Sequence, residues 1–177
     1  KFFRSFIHSR FPLAIVAGLL LAASFPNPGI AGLAWIAPGL VFAIAFGPGG
    51  RQIFPIGYAA GMAHYLTSLY WLLLIPVRGA PILGWLALSA YLALYPATWV
   101  WLVSTIAGFK FRVSSSDAPK KFPLAAAICS SSWGRRTLWT LSGAAIWVAL
   151  EMMQARFLSG FPWNLLGTSQ YKILPLI

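Results

Sequence analysis

Acidic residues are nearly absent from this 177-residue sequence, in which Asp117 and Glu151 are the only two. Charged residues of both signs make up 8% of the chain, far below the roughly 25% that soluble domains carry. Hydrophobic residues make up 59%, and the mean hydropathy is +0.77. Apolar runs this numerous and long do not fit one water-soluble core. The composition therefore predicts a protein whose main solvent is lipid.

Residues that carry self-contained chemistry are also scarce. Cys129 is the single cysteine, which excludes an intramolecular disulfide or a cysteine-based metal cluster within this chain, and we interpret it as inert. The two histidines are His8, in the basic N-terminus, and His64, in an apolar run where a neutral imidazole most often hydrogen-bonds to another helix. Gly-rich phosphate loops, HExxH and GxSxG are missing from the sequence. We predict no catalytic residue, metal site or cofactor in this chain.

The net charge of +11 comes from thirteen Lys and Arg residues, which makes a nucleic-acid partner the first class to consider. Their placement argues against it, because they lie mostly in the gaps between apolar runs, as topology-setting residues do. With the N-terminus in the cytoplasm, ten of the thirteen fall inside, and only Arg78, Arg156 and Lys172 fall outside. We therefore predict the lipid bilayer as a partner and no nucleic acid.

Five apolar segments approach the roughly 20 residues needed to cross a bilayer. They lie at residues 11–25, 30–46, 53–75, 82–108 and 138–158. The first two are joined by a Pro-Asn-Pro-Gly stretch, which cannot continue a helix and favours a tight turn. The N-terminus resembles a signal peptide, but further spans follow at once, so we expect a retained first helix. The predicted fold is all-α, a polytopic transmembrane helix bundle of about five spans.

Two stretches lie outside these predicted spans. Residues 110–136 combine six positive charges with serines and prolines, and we predict that they form a basic cytoplasmic loop. A contact of this loop with anionic lipid headgroups is an alternative to simple solvation. Residues 159–172 follow the fifth span and are predicted to lie on the outer side of the membrane.

Small and ionisable residues within the spans predict specific contacts. Gly57 and Gly61 form a GxxxG pattern that allows another helix to approach closely. Glu151 is the one acidic residue in a predicted span, where an unpaired carboxylate is costly enough to need a partner or a wet cavity. Two interpretations stay open: structural pairing with Gln154 or Arg156, and a direct role in substrate binding.

The stretch from Ser159 to Gln170, SGFPWNLLGTSQ, resembles the GFPW...G.SQ signature of bacterial apolipoprotein N-acyltransferases. Glu151 precedes this signature at the family's usual spacing. Two earlier motifs, FPNPG at residues 25–29 and LYWL at residues 69–72, agree in order. The similarity extends over nearly the whole chain, apart from the basic loop, which is longer than usual.

One position departs from the family pattern. Members often carry an arginine three residues after the glutamate, where this chain has Gln154. If that arginine pairs with the glutamate or with a headgroup, the contact is in doubt here, and Arg156 is the candidate substitute.

The resemblance implies a bacterial inner-membrane enzyme, with residues 159–172 in the periplasm. Such enzymes transfer an acyl chain from a phospholipid to the N-terminal diacylglyceryl-cysteine of a lipoprotein, so phospholipid and diacylated apolipoprotein are the implied partners. The family's chemistry belongs to a nitrilase-like domain with a cysteine, a glutamate and a lysine, none of which can be placed here. Because both ends of the chain look cut, we expect a fragment that is inactive alone.

The resemblance also implies substrate-facing residues in the signature and at the end of the third span. The candidates are Glu151, Phe161, Trp163, Asn164, Gln170, Tyr70 and Trp71. An interfacial aromatic belt is the alternative explanation for the aromatic residues at span ends. Rival functions are a transporter or channel subunit, disfavoured by the scarcity of polar residues in the spans, and a non-catalytic membrane scaffold that kept the signature.

Overall fold

The computed structural model describes residues 2–26, 28–45, 52–75, 81–113, 132–157 and 160–171. These ranges contain helices and turns but no β-strand, in agreement with the predicted all-α class. The α-helices are α1 (Phe2–Ala22), α2 (Leu33–Ala45), α3 (Ile53–Ser68), α4 (Pro81–Leu92), α5 (Leu94–Val113) and α6 (Ser132–Gln154). Two short 3-10 helices, Tyr70–Leu74 and Leu166–Gln170, follow α3 and α6.

One stretch among the described helices is long and apolar enough to cross a membrane. It runs over 26 residues from Pro81 to Ile106 and joins α4 to the first part of α5. The helices are nearly continuous, because the N–H of Ala93 donates to Ser89 and that of Ala97 donates to Ala93. Two further apolar helices, Arg10–Ala22 and Leu33–Ala45, are shorter.

Two boundaries of the predicted spans differ from the structure. The third predicted span, 53–75, is α-helical only to Ser68, where the hydroxyls of Thr67 and Ser68 bond to carbonyl oxygens one turn earlier, at 2.8 and 2.7 Å. The chain then tightens into the first 3-10 helix. The second span begins at Leu33 rather than near residue 30.

The basic loop predicted for residues 110–136 is too wide at both ends. Helix α5 continues through Val113, and α6 already begins at Ser132. Residues 114–131, which include Cys129, lie outside the described part of the chain.

Helix α3 lies at the centre of the bundle and contacts α1, α2, α4 and α5. A Cβ added to Gly57 would lie 2.5 Å from a methyl of Val100, and one added to Gly61 would lie 2.9 Å from the Cα of Ala93. On the α1 side, a Cβ at Gly18 would lie 2.1 Å from the carbonyl oxygen of α3 residue Ala60. The close helix approach predicted from the GxxxG pattern is therefore confirmed.

The turn between α1 and α2 also follows the sequence prediction. Gly29 has φ 71°, a conformation that glycine adopts without steric cost, and its N–H donates to the carbonyl of Phe25 at 2.7 Å. The N–H of Ile30 donates to Ala23 at 2.9 Å. These bonds reverse the chain and place α2 against α1.

His64 is buried at the end of α3 and packs between two aromatic rings. Its centroid lies 5.5 Å from that of Phe25 and 4.5 Å from that of Tyr65. Its Nδ1 atom has no hydrogen-bond partner. His64 therefore contacts the turn after α1 through ring packing, and the hydrogen bond to another helix that the sequence predicted is not made at Nδ1.

Candidate functional site

The chain reverses direction immediately after α6. Gly160 has φ +75°, and a Cβ at this position would lie 2.3 Å from the carbonyl oxygen of Ala155, so a side chain is excluded there. The N–H of Phe161 then donates to the carbonyl of Gln154 at 3.1 Å. This reversal folds residues 160–171, which we call the signature segment, back onto the ends of the helices.

Gln154 holds the first part of the signature segment in place. Its amide nitrogen donates to the carbonyls of Phe161 and Trp163 at 3.3 and 3.2 Å, while its amide oxygen accepts from the Tyr65 hydroxyl at 3.3 Å. The side chain is only 2% exposed. The sequence marked Gln154 as a candidate partner of Glu151 and as a departure from the family pattern, whereas Tyr65 was not among the predicted site residues. A polar amide in an apolar helix was the available signal for Gln154.

Glu151 holds the second part of the signature segment. One carboxylate oxygen accepts from the indole N–H of Trp147 at 2.9 Å and from the backbone N–H of Leu166 at 2.5 Å. The pairing expected with Gln154 or Arg156 is wrong: Gln154 bonds to carbonyls of the signature segment, and Arg156 is exposed. These N–H donors give the carboxylate a structural pairing, and its direct role in substrate binding stays a prediction.

Gln170 ties the far end of the signature segment to the turn between α1 and α2. Its amide nitrogen donates to the carbonyl of Ala31 and to the hydroxyl of Ser169, both at 3.0 Å. Gln170 and Ala31 are 139 residues apart in sequence. This predicted site residue therefore connects the end of the signature segment to the α1–α2 turn.

Phe161 is partly buried. It packs against a buried cluster of Tyr65, Leu69 and Leu92, to which α3 and α4 contribute. Phe161, Glu151 and Gln170 are thus three of the seven predicted site residues, and all three hold the signature segment against the rest of the chain.

The other four predicted residues surround one cavity of about 470 Å³, which we call the aromatic cavity. Tyr70 and Trp71 come from the 3-10 helix after α3, and Trp163 and Asn164 come from the signature segment. The rings of Trp71 and Trp163 lie 5.4 Å apart. The rest of the wall comes from the ends of α1 and α3 and from the turn after α1: Leu19, Ala22, Ala23, Phe25, Pro26, Pro28, Thr67 and Ser68.

Two hydrogen-bond donors of this cavity are buried without a partner. They are the indole nitrogen of Trp71 and the side-chain amide nitrogen of Asn164. Asn164 has φ 57°, a left-handed conformation that asparagine tolerates better than most residues. A buried donor without an acceptor costs about 1–3 kcal/mol.

A second cavity, of about 450 Å³, lies between α2, α5 and α6. Its walls are almost wholly apolar and rich in tryptophan. Both donors to Glu151, the Trp147 indole and Leu166, line it, so the carboxylate fixes two of its walls. The remaining aromatic lining residues are Trp35, Phe42, Trp99 and Trp139.

Comparison with known proteins shows the family of this chain. The family model described as the apolipoprotein N-acyltransferase N-terminal domain matches residues 17–177. The apolipoprotein N-acyltransferase of Geobacter metallireducens is 34% identical over 174 residues, covering 93% of this chain and 28% of the relative. That of Bordetella bronchiseptica is 32% identical over 177 residues, covering 85% of this chain and 27% of the relative.

A third relative, the apolipoprotein N-acyltransferase of Chromobacterium violaceum, is 31% identical over 134 residues. This match covers 71% of the present chain and 21% of the relative. The chain thus spans only 21–28% of the curated relatives it matches. The family match covers most of this chain, including every residue of the two cavities described above. The chain belongs to the family of the apolipoprotein N-acyltransferase N-terminal domain.

Proposed function

We propose that this chain is the membrane domain of an apolipoprotein N-acyltransferase, which transfers an acyl chain from a phospholipid to the N-terminal diacylglyceryl-cysteine of a lipoprotein. The domain spans the bacterial inner membrane about five times with its N-terminus in the cytoplasm. It holds the lipid substrates at the periplasmic face for a nitrilase-like domain elsewhere in the complete protein. The chain alone is inactive, because the cysteine, glutamate and lysine of that chemistry cannot be placed in it.

The observation that carries the proposal is the convergence of two family motifs at the aromatic cavity. Trp71 belongs to the LYWL motif and Trp163 to the GFPW motif, and their rings meet at 5.4 Å. Large aromatic rings beside an apolar wall suit the alkyl and glycerol parts of a lipid. The cavity lies at the ends of α1 and α3 rather than along their middle, which favours a substrate site at one membrane face over a transport pathway.

The signature segment, which supplies Trp163 and Asn164 to this cavity, is held to the bundle by three side chains. Gln154 fixes the carbonyl of Trp163, Glu151 fixes Leu166, and Gln170 fixes the end of the segment to the α1–α2 turn. Such support for residues that contact a substrate is expected, because a binding site must keep its geometry before the substrate arrives.

The test is made in the complete protein, expressed in cells depleted of their own N-acyltransferase. Trp163→Ala removes a wall of the aromatic cavity and is expected to lower N-acylation of a reporter lipoprotein roughly tenfold or more. Mass spectrometry of the lipoprotein N-terminus counts its acyl chains. Trp133→Ala is the matched control, because Trp133 is 75% exposed at the opposite end of α6.

Unchanged acylation with Trp163→Ala at normal protein levels would remove the aromatic cavity from the proposal. A complete reading frame without a nitrilase-like domain would instead favour the membrane scaffold. Normal acylation with the control variant is required for either conclusion.

A further inference from the structure

The plane of the Gln154 amide is set by hydrogen bonds. The last torsion of a glutamine is broad, so packing alone does not determine where its nitrogen and oxygen point. The amide nitrogen of Gln154 donates to the backbone carbonyls of Phe161 and Trp163 at 3.3 and 3.2 Å. A carbonyl oxygen can only accept a hydrogen bond. The nitrogen must therefore face the signature segment, and the amide oxygen must point away from it.

The amide oxygen of Gln154 depends on one donor. Within the described part of the chain it accepts only from the hydroxyl of Tyr65, at 3.3 Å. The side chain of Gln154 is 2% exposed and that of Tyr65 is 5% exposed, so bulk water cannot easily take the place of this donor. A buried acceptor that loses its donor is costly. The Tyr65 hydroxyl therefore holds the end of the amide that the signature segment does not hold.

Tyr65 is well placed to act as a fixed anchor. It belongs to α3, the helix at the centre of the bundle, and lies in a buried cluster with Leu69 and Leu92. Its ring packs edge-on against that of His64, with the centroids 4.5 Å apart. A tyrosine side chain has only two torsions to fix. The position of its hydroxyl is therefore determined by the packing of α3.

We propose that Tyr65 is a positioning residue for the signature segment: its hydroxyl fixes the Gln154 amide, which in turn keeps Trp163 at the wall of the aromatic cavity. Tyr65 does not line that cavity, so it acts on Trp163 through Gln154. The mechanical part of this inference holds whatever the cavity binds. Its effect on acyl transfer rests on the proposed function.

The experiment measures hydrogen exchange in residues 160–171 of the complete purified protein in detergent, by mass spectrometry. Tyr65→Phe removes the hydroxyl and keeps the ring, which matters because Phe161 packs against the cluster that contains Tyr65. We expect exchange in the signature segment to become at least about fivefold faster, with exchange in α1 and α3 unchanged. Tyr91→Phe is the matched control, because Tyr91 packs against the same cluster but its hydroxyl bonds to that of Tyr95 at 2.6 Å.

A double-mutant cycle distinguishes positioning from a general loss of stability. Gln154→Leu removes the amide through which Tyr65 is proposed to act. Adding Tyr65→Phe to Gln154→Leu should therefore cause no further rise in exchange of the signature segment. If the lost hydroxyl weakened the bundle by another route, the two effects would add.

Unchanged exchange with Tyr65→Phe, additive effects in the double variant, or an equal rise with Tyr91→Phe would each overturn the inference. Lipoprotein acylation in cells, measured for the same variants, keeps the two proposals apart. Faster exchange with normal acylation supports the positioning role of Tyr65 and counts against the aromatic cavity as the substrate site. Acylation that falls without faster exchange rejects the positioning role and leaves the proposed function intact.

Discussion

The side-chain amide of Gln154, at the last position of α6, donates to the backbone carbonyl of Trp163 at 3.2 Å. The same amide group also binds Phe161 and Tyr65. One buried side chain thereby joins α6, α3 and the signature segment. The position of the Trp163 ring in the aromatic cavity depends on this connection, although Gln154 does not line that cavity.

Gln154→Leu is expected to loosen the signature segment while leaving the helices in place. Leucine has a similar size but offers no hydrogen bonds, so two carbonyls and the Tyr65 hydroxyl lose their partner, at about 1–3 kcal/mol for each group that stays buried. Hydrogen exchange in residues 160–171 should rise, and lipoprotein acylation should fall. Arg156→Leu, two residues further on and exposed, is the control. Equal exchange in both variants would contradict the role of Gln154.

Two substitutions of Glu151 distinguish a structural role of its carboxylate from a direct role in substrate binding. Glu151→Gln keeps an oxygen that can accept from Trp147 and Leu166, so a structural role predicts nearly normal acylation and thermal stability. Glu151→Leu leaves both donors unpaired and is expected to cost roughly 2–5 kcal/mol of folding free energy. Thermal unfolding of the complete protein in detergent measures this difference. A stable Glu151→Gln variant that has lost acylation would instead indicate that the negative charge acts on the substrate.

Local patterns in the sequence predicted the parts of the fold that local chemistry decides. The Pro-Asn-Pro-Gly turn and the Gly57/Gly61 contact depend on backbone freedom and on the lack of a side chain, both visible in the residues themselves. The end of α3 at Ser68 was not predicted, because the apolar run continues to Ile75 and hydropathy does not distinguish an α-helix from a 3-10 helix.

The sequence predicted which residues belong to the site, but not which of them lie together in space. Trp71, Trp163 and Asn164 were found through the family resemblance, and the structure brings them to one cavity. The sequence could not predict that Gln154 holds the signature segment, because its contact with Tyr65 joins residues 89 positions apart. Its contacts with the signature segment likewise exist only after the chain reverses at Gly160.

The contact of α3 with the junction of α4 and α5 should not tolerate even one methyl group. In Gly61→Ala the new Cβ would lie 2.9 Å from the Cα of Ala93, and backbone cannot move aside cheaply. We expect a loss of about 1–3 kcal/mol in the free energy of unfolding, measured by thermal or denaturant unfolding in detergent. Gly84→Ala in α4 is the control, because its Cβ would meet nothing within 4 Å. A Gly61→Ala variant as stable as this control would contradict the packing.

The predicted membrane topology places the signature segment in the periplasm and the basic loop in the cytoplasm. Single cysteines introduced as Thr168→Cys and Ser116→Cys, each with Cys129→Ser, test both positions with a membrane-impermeant maleimide. Because Thr168 is exposed, the Thr168→Cys thiol should react in cells whose outer membrane alone is permeabilised. The Ser116→Cys thiol should react only after the inner membrane is opened. Val148→Cys, within the predicted fifth span, should remain unlabelled in both conditions because a thiol in hydrocarbon is not ionised. Labelling of both loop cysteines from the same side would require an even number of spans between them and would contradict the predicted fifth span.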